Sequence, residues 1–195
     1  YAHILDITKT GIMAYVEIPK LNIYMPVYHG TDEGVLQIAA GHLPGSSLPV
    51  GGENTHSLIS GHRGLPSAKL FTDIDKLKKG DLFFIHVFDE VLAYKVNQIK
   101  IVLPDDVETL EIEKGKDYVT LITCTPYGVN SHRLLVRGER TVYKQSESKI
   151  EDMIKKNNLK YIMLTAGVIL ALIGMTVLVS VFLIKRRKRR KLNEK

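Results

Sequence analysis

Residues Tyr161 to Ile184, YIMLTAGVILALIGMTVLVSVFLI, run for 24 positions without a charged side chain. As an α-helix rising about 1.5 Å per residue this stretch would be roughly 36 Å long, enough to cross a hydrocarbon core of about 30 Å. A helix buried in a water-soluble core would carry a polar stripe. This one carries none, so a membrane span is expected at 161–184.

KRRKRRK follows at once, from Lys185 to Lys191. Isolated, such a run would read as a solvated charge cluster or a nucleic-acid patch. Beside a membrane span it fixes orientation, because the basic flank stays in the cytoplasm near anionic lipid. The expected location is therefore the cell membrane, with residues 1–160 outside and the tail at 185–195 inside. The charge distribution agrees. The chain is +6 overall, and its last eleven residues hold eight Lys or Arg against one Glu, leaving −1 for the rest. The basic character belongs to the tail, and no nucleic-acid partner is expected.

An outward domain needs export, yet the chain opens on Tyr1 with no signal peptide, so the natural protein is expected to begin upstream. Its single cysteine, Cys124, excludes a disulfide within the chain. The outer domain must be stable through its core alone.

Most of residues 10–142 reads as β-structure. GIMAYVEIP (11–19), LNIYMPV (21–27), HSLISG (56–61), DLFFIHVF (81–88), VLAYKVNQIKIV (91–102), YVTLITC (118–124) and HRLLVRGERTV (132–142) are rich in β-branched and aromatic residues and are separated by turn formers. Seven or eight short strands imply a mostly β closed barrel or sandwich. Short helices are expected at 32–40 and 67–79, the second presenting Leu70, Phe71, Ile74 and Leu77 on one face. SKIEDMIKKNNLKY, from Ser148, reads as a juxtamembrane helix with Ser148 and Glu151 spaced as a capping box.

Cys124 ends an apolar run and precedes the turn TPYG, so it stands where a strand leaves the sheet. Free cysteine is commonly a small core residue. Outside the cell, however, a thiol is exposed to oxidation, and keeping one there points to use. A nucleophilic thiolate needs a base or cation nearby. The histidines on offer are His3, His29, His42, His56, His62, His86 and His132. Of these, His62 in ISGHRG closes an apolar run at a glycine-flanked turn, the same kind of place as Cys124. No Cys–Cys pair or His-x-x-x-His spacing points to a metal, and no metal or organic cofactor is expected.

TLITCTPYGVNSHRLLVRGER, GHLPGSSLPVGGENTHSLISGHRGLPSAKLFTDIDKLKKGD and IPKLNIYMPVYHGT together resemble the sortases, specifically the class C, pilus-assembling kind. The resemblance runs from about Gly11 to Arg140, with several motifs in order. It implies an eight-stranded sortase-type β-barrel with short helices and a cysteine transpeptidase using His62, Cys124 and Arg133. Cys124 would attack the Thr–Gly carbonyl of an LPXTG-like sorting signal to form a thioacyl enzyme. His62 would protonate the departing amine and deprotonate the incoming one, while Arg133 would bind the substrate backbone and the developing oxyanion. At ordinary values of about 8.5 and 6.5, a cysteine is roughly 3% thiolate and a histidine roughly 24% protonated at pH 7. Independent titration would leave under about 1% of molecules with both charged.

Partners implied by the resemblance are LPXTG-type pilins or surface proteins and an amine acceptor, either a pilin lysine or a cell-wall precursor. Class C relatives usually carry an N-terminal lid with an Asp and an aromatic residue. YAHILDITKTG offers Asp6 without the Asp-Pro-aromatic pattern, so the lid lies upstream or is lacking. The expected organisation is an N-terminal remnant (1–10), a catalytic barrel (11–142), a juxtamembrane linker (143–160), the span (161–184) and the basic tail (185–195). The competing readings are wall anchoring by a related enzyme and a non-catalytic, membrane-tethered binding domain.

Overall fold

A computed structural model describes residues 1, 3–6, 9–64 and 69–142. The span at 161–184, the basic tail and the helix expected from Ser148 lie outside the described residues. Eight strands form, each within a few residues of its apolar run where one was recognised: β1 (Ile12–Ile18), β2 (Ile23–His29), β3 (Ala40–His42), β4 (Thr55–Ser60), β5 (Leu82–Val87), β6 (Glu90–Val102), β7 (Asp117–Thr125) and β8 (His132–Arg140). They close in the order β1-β2-β3-β4-β7-β8-β6-β5, the last pairing back on β1 through Tyr15 and His86. Closure leaves no open sheet edge to be covered. Two neighbouring pairs are parallel, β2 with β3 and β4 with β7.

Alternation sends one side of each strand into the barrel. Val16 and Ile18 of β1, Ile59 of β4, Val119 and Leu121 of β7, and Leu134 and Val136 of β8 all enter the main core. The described residues belong to one compact unit, Tyr1–Tyr143. Asp6 closes the turn into β1, its Oδ1 accepting from the amides of Thr10 and Gly11 at 2.9 Å each.

The two expected helices are shorter than the patterns imply. The first is a single turn, α1 (Glu33–Leu36), and Ala40 already belongs to β3. Gly41 explains the conversion. A Cβ there would lie 2.1 Å from the Gly30 carbonyl oxygen, so only glycine lets β3 lie against the end of β2.

The second helix, expected over 67–79, is replaced in its described part by turns and a 3-10 turn at Ile74–Lys76. The Leu70 backbone is left-handed (φ 32°), and the Phe71 amide donates to the His62 carbonyl at 3.1 Å. Leu70, Phe71, Ile74 and Leu77 are nonetheless all buried in the barrel core. Burial of those four side chains, rather than helical hydrogen bonding, decides the path. A buried phenylalanine alone is worth about 1.5–3 kcal/mol.

Candidate active site

Strand register brings the three singled-out residues into one row. Cys124, near the end of β7, is the cross-strand partner of Arg133 at the start of β8. Such pairs have Cα atoms roughly 4.5–5.5 Å apart. On the other side, β4 runs parallel to β7 with Ser60 level with Ile122. The ladder continues past the end of β4, because the Gly61 amide donates to the Ile122 carbonyl (3.0 Å) and Thr123 Oγ1 donates to the Gly61 carbonyl (2.7 Å). Continued by two residues beyond Ser60 and Ile122, that register would set His62 level with Cys124.

The row lies on the outside of the barrel. Leu121 and Thr123 point inward and are buried, so Ile122 and Cys124 face outward, as does Leu135 beside Arg133. Leu58, Ile122, Leu135 and Val102 form a second apolar cluster on this outer face, with Leu43 and Leu110 packed against it. A cleft of about 250 Å³ opens over this floor, lined also by Arg133 and by the loop after β6 (Leu103, Pro104, Val107). Leu103 and Val107 stay more than half exposed. Ile122 and Leu135 in this floor lie two residues from Cys124 and Arg133 along their strands.

Five of the other histidines, His29, His42, His56, His86 and His132, have structural partners. His42 sits between the Tyr1 hydroxyl (2.7 Å) and the Ser47 carbonyl (2.9 Å). His56 is buried between the Glu111 carbonyl (2.9 Å) and Thr120 Oγ1 (2.7 Å). Burial pushes both rings below the ordinary histidine range. His29 bonds the Gly11 and Ile4 carbonyls, His86 pairs with Glu17 at 2.6 Å, and His132 bonds Ser131. His62 differs: its Nε2 is buried without a hydrogen-bond partner. Arg133 donates to the Asn130 and His132 carbonyls of its own turn, both at 3.2 Å. It makes no ion pair among the described residues, so its guanidinium keeps donors to spare.

Sequence reasoning missed two residues here. Arg63 ties the His62 loop to the Cys124 strand, donating to Thr125 Oγ1 at 3.2 Å while paired with Asp75. Glu33, the first residue of α1, carries a carboxylate 3.5 Å from His62 Nε2. The Gln37 amide, and behind it the His62 ring, hold the Glu33 carboxyl below the usual carboxylate range. Neither residue has a local signature, since only the barrel's closure brings α1 to the end of β4.

A family model for the sortase domain matches residues 16–141. The chain belongs to the sortase family. Among solved structures it is similar to sortase C1 from Streptococcus agalactiae, at 61% identity and a TM-score of 0.71 over 72% of each chain. It is also similar to sortase C-1 from Actinomyces oris, at 50% identity and a TM-score of 0.71 over 73% of this chain and 80% of that one. Both agree with the class C resemblance. Sortase A from Bacillus anthracis is 32% identical over 134 residues, which is 69% of this chain and 62% of that relative. The chain thus spans about three fifths of the length of the curated relatives it matches first.

Proposed function

We propose that this family member is a class C-type cysteine transpeptidase that cleaves an LPXTG-like sorting signal and joins it to an amine, with a pilin lysine as acceptor. The observation that carries the reading is the pairing of Cys124 with Arg133 across β7 and β8, with His62 just past the end of neighbouring β4 and an apolar outer cleft lined by Arg133. The Streptococcus pneumoniae sortase C structure, 58% identical with a TM-score of 0.68, is described in terms of catalysis and pilin substrate specificity, which favours pilin over wall precursor.

The sorting signal would lie extended along the cleft with its Thr carbonyl between Cys124 and Arg133. Cys124 Sγ, as thiolate, attacks the carbonyl carbon, and the carbonyl π pair moves onto oxygen. The Arg133 guanidinium donates to that oxyanion. When the intermediate collapses, the C–N bond to Gly breaks and the protonated His62 gives its proton to the leaving amine. The thioester then meets a lysine amine, from which neutral His62 takes a proton. The new amide forms and Cys124 leaves as thiolate. The uncharged run at 161–184 would anchor the enzyme, with KRRKRRK inside and the barrel outside.

The test is to incubate the full chain with a purified pilin bearing an LPXTG-type signal. Covalent ladders stable to boiling detergent, lost when the acceptor lysines are replaced, are expected. Single adducts formed only with a cell-wall precursor amine would replace pilin assembly by wall anchoring.

A further inference from the structure

The nitrogen that His62 leaves unpartnered faces a carboxylate. Glu33 Oε2 stands 3.5 Å from the buried Nε2, an ion-pair separation longer than a formed hydrogen bond. The carboxylate is not sweeping through solvent, because its other oxygen accepts from Gln37 Nε2 one helical turn on. An acceptor fixed at one ring nitrogen decides which nitrogen carries the proton, and so which lone pair faces the nucleophile. Catalytic hydrogen bonds are often long without substrate and tighten when it binds.

We propose that Glu33 is a positioning residue for His62, accepting the Nε2 proton so that Nδ1 exchanges a proton with Cys124. The inference rests on His62 being the acid–base group of the proposed function. When the Cys124 proton moves to Nδ1, the ring becomes a cation with Nε2–H aimed at Glu33, which stays a carboxylate throughout. Its charge stabilises the imidazolium once the proton has moved, and with it the thiolate.

The Glu33 side chain is 70% exposed, so the effect is moderate and open to screening. Glu33→Gln removes the charge and keeps an oxygen for Gln37. The full chain in detergent micelles is treated with iodoacetamide at neutral pH, and the rate of Cys124 alkylation is followed. At low salt, Glu33→Gln is expected to react about three- to tenfold more slowly than the native chain. Near 1 M salt, where the Debye length is about 3 Å, the gap is expected to close. The melting temperature should not change. Equal rates at low salt would overturn the proposal, as would a deficit that salt leaves intact, which marks a purely structural role. Alkylation needs no sorting peptide, so this outcome is separate from whether LPXTG-type peptides are substrates.

Discussion

The two ends of β7 are built to opposite rules. At the Asp117 end, polar groups are consumed. Asp117 accepts from the Tyr94 hydroxyl at 2.9 Å and the Gly52 amide at 2.8 Å. Lys116 pairs with Glu139 at 2.7 Å, and Arg137 pairs with Glu113 at 2.8 Å while lying 4.0 Å over the Tyr118 ring. At the Cys124 end, capacity is left over. The thiol is free, and among the described residues Arg133 bonds only the carbonyls of its own turn. Of four buried polar side-chain atoms without a partner among the described residues, two belong to the adjacent His62 and Arg63. Unmet hydrogen-bonding capacity costs stability. Under the proposed function it is tolerated where catalysis can use it, so that one end would hold the fold and the other serve the chemistry.

Cys124→Ala should break the comparison most sharply. Transfer is expected to fall to background while the melting temperature holds, since a half-buried side chain loses only its sulfur. A variant that still polymerised substrate would remove Cys124 from the mechanism.

Arg133 and Arg137 lie on the same strand toward opposite ends, and the same substitution should separate them. Arg133→Lys keeps the charge but loses the planar fork that can give two parallel hydrogen bonds, and single-turnover acylation should drop about 10²–10³-fold. Arg137→Lys should acylate at the native rate and lose a little stability through the weakened stack on Tyr118. Equal acylation rates would leave the oxyanion without a donor at this end.

Asp117→Ala is the converse of the cysteine change. It strips the Tyr94 hydroxyl and the Gly52 amide of their acceptor and should cost about 1–3 kcal/mol of stability, read by denaturant melts, with acylation unchanged. A loss of activity without a loss of stability would erase the distinction between the two ends.

The outline of this division was legible in the sequence; the supports of the site were not. Strands such as 82–87 and 117–125 declare themselves by apolar runs between turn residues, and Cys124 and His62 both end such runs at turns. β3 did not, because Ala40–His42 is three residues long and its place depends on a backbone contact with Gly30. The face Leu70, Phe71, Ile74 and Leu77 was recognised as apolar, but periodicity cannot tell a helix from a chain that turns to plug a barrel. Glu33 lies 29 residues before His62 and Arg63 lies 62 before Thr125, so their contacts depend on closure order, which no local pattern carries.

The smallest expected effect concerns pH. His42 and His56 are held below the ordinary histidine range by burial. Below about pH 6.5 the unfolded chain therefore binds more protons than the folded one, and stability falls as pH falls. The melting temperature should be lower at about pH 5.5 than at about pH 7.5. His56→Gln, which cannot charge, should narrow that difference. A difference of the same size in the variant would take His56 out of the acid response.

The most direct test of the central claim is the intact mass of the full chain after brief mixing with an LPXTG-type peptide and no amine acceptor. The expected result is one acyl adduct on Cys124, with Gly and the residues after it released. It should be discharged by hydroxylamine and be absent in Cys124→Ala. An unmodified chain, while the peptide is cleaved or merely bound, would contradict the assignment of this end of the barrel to covalent chemistry.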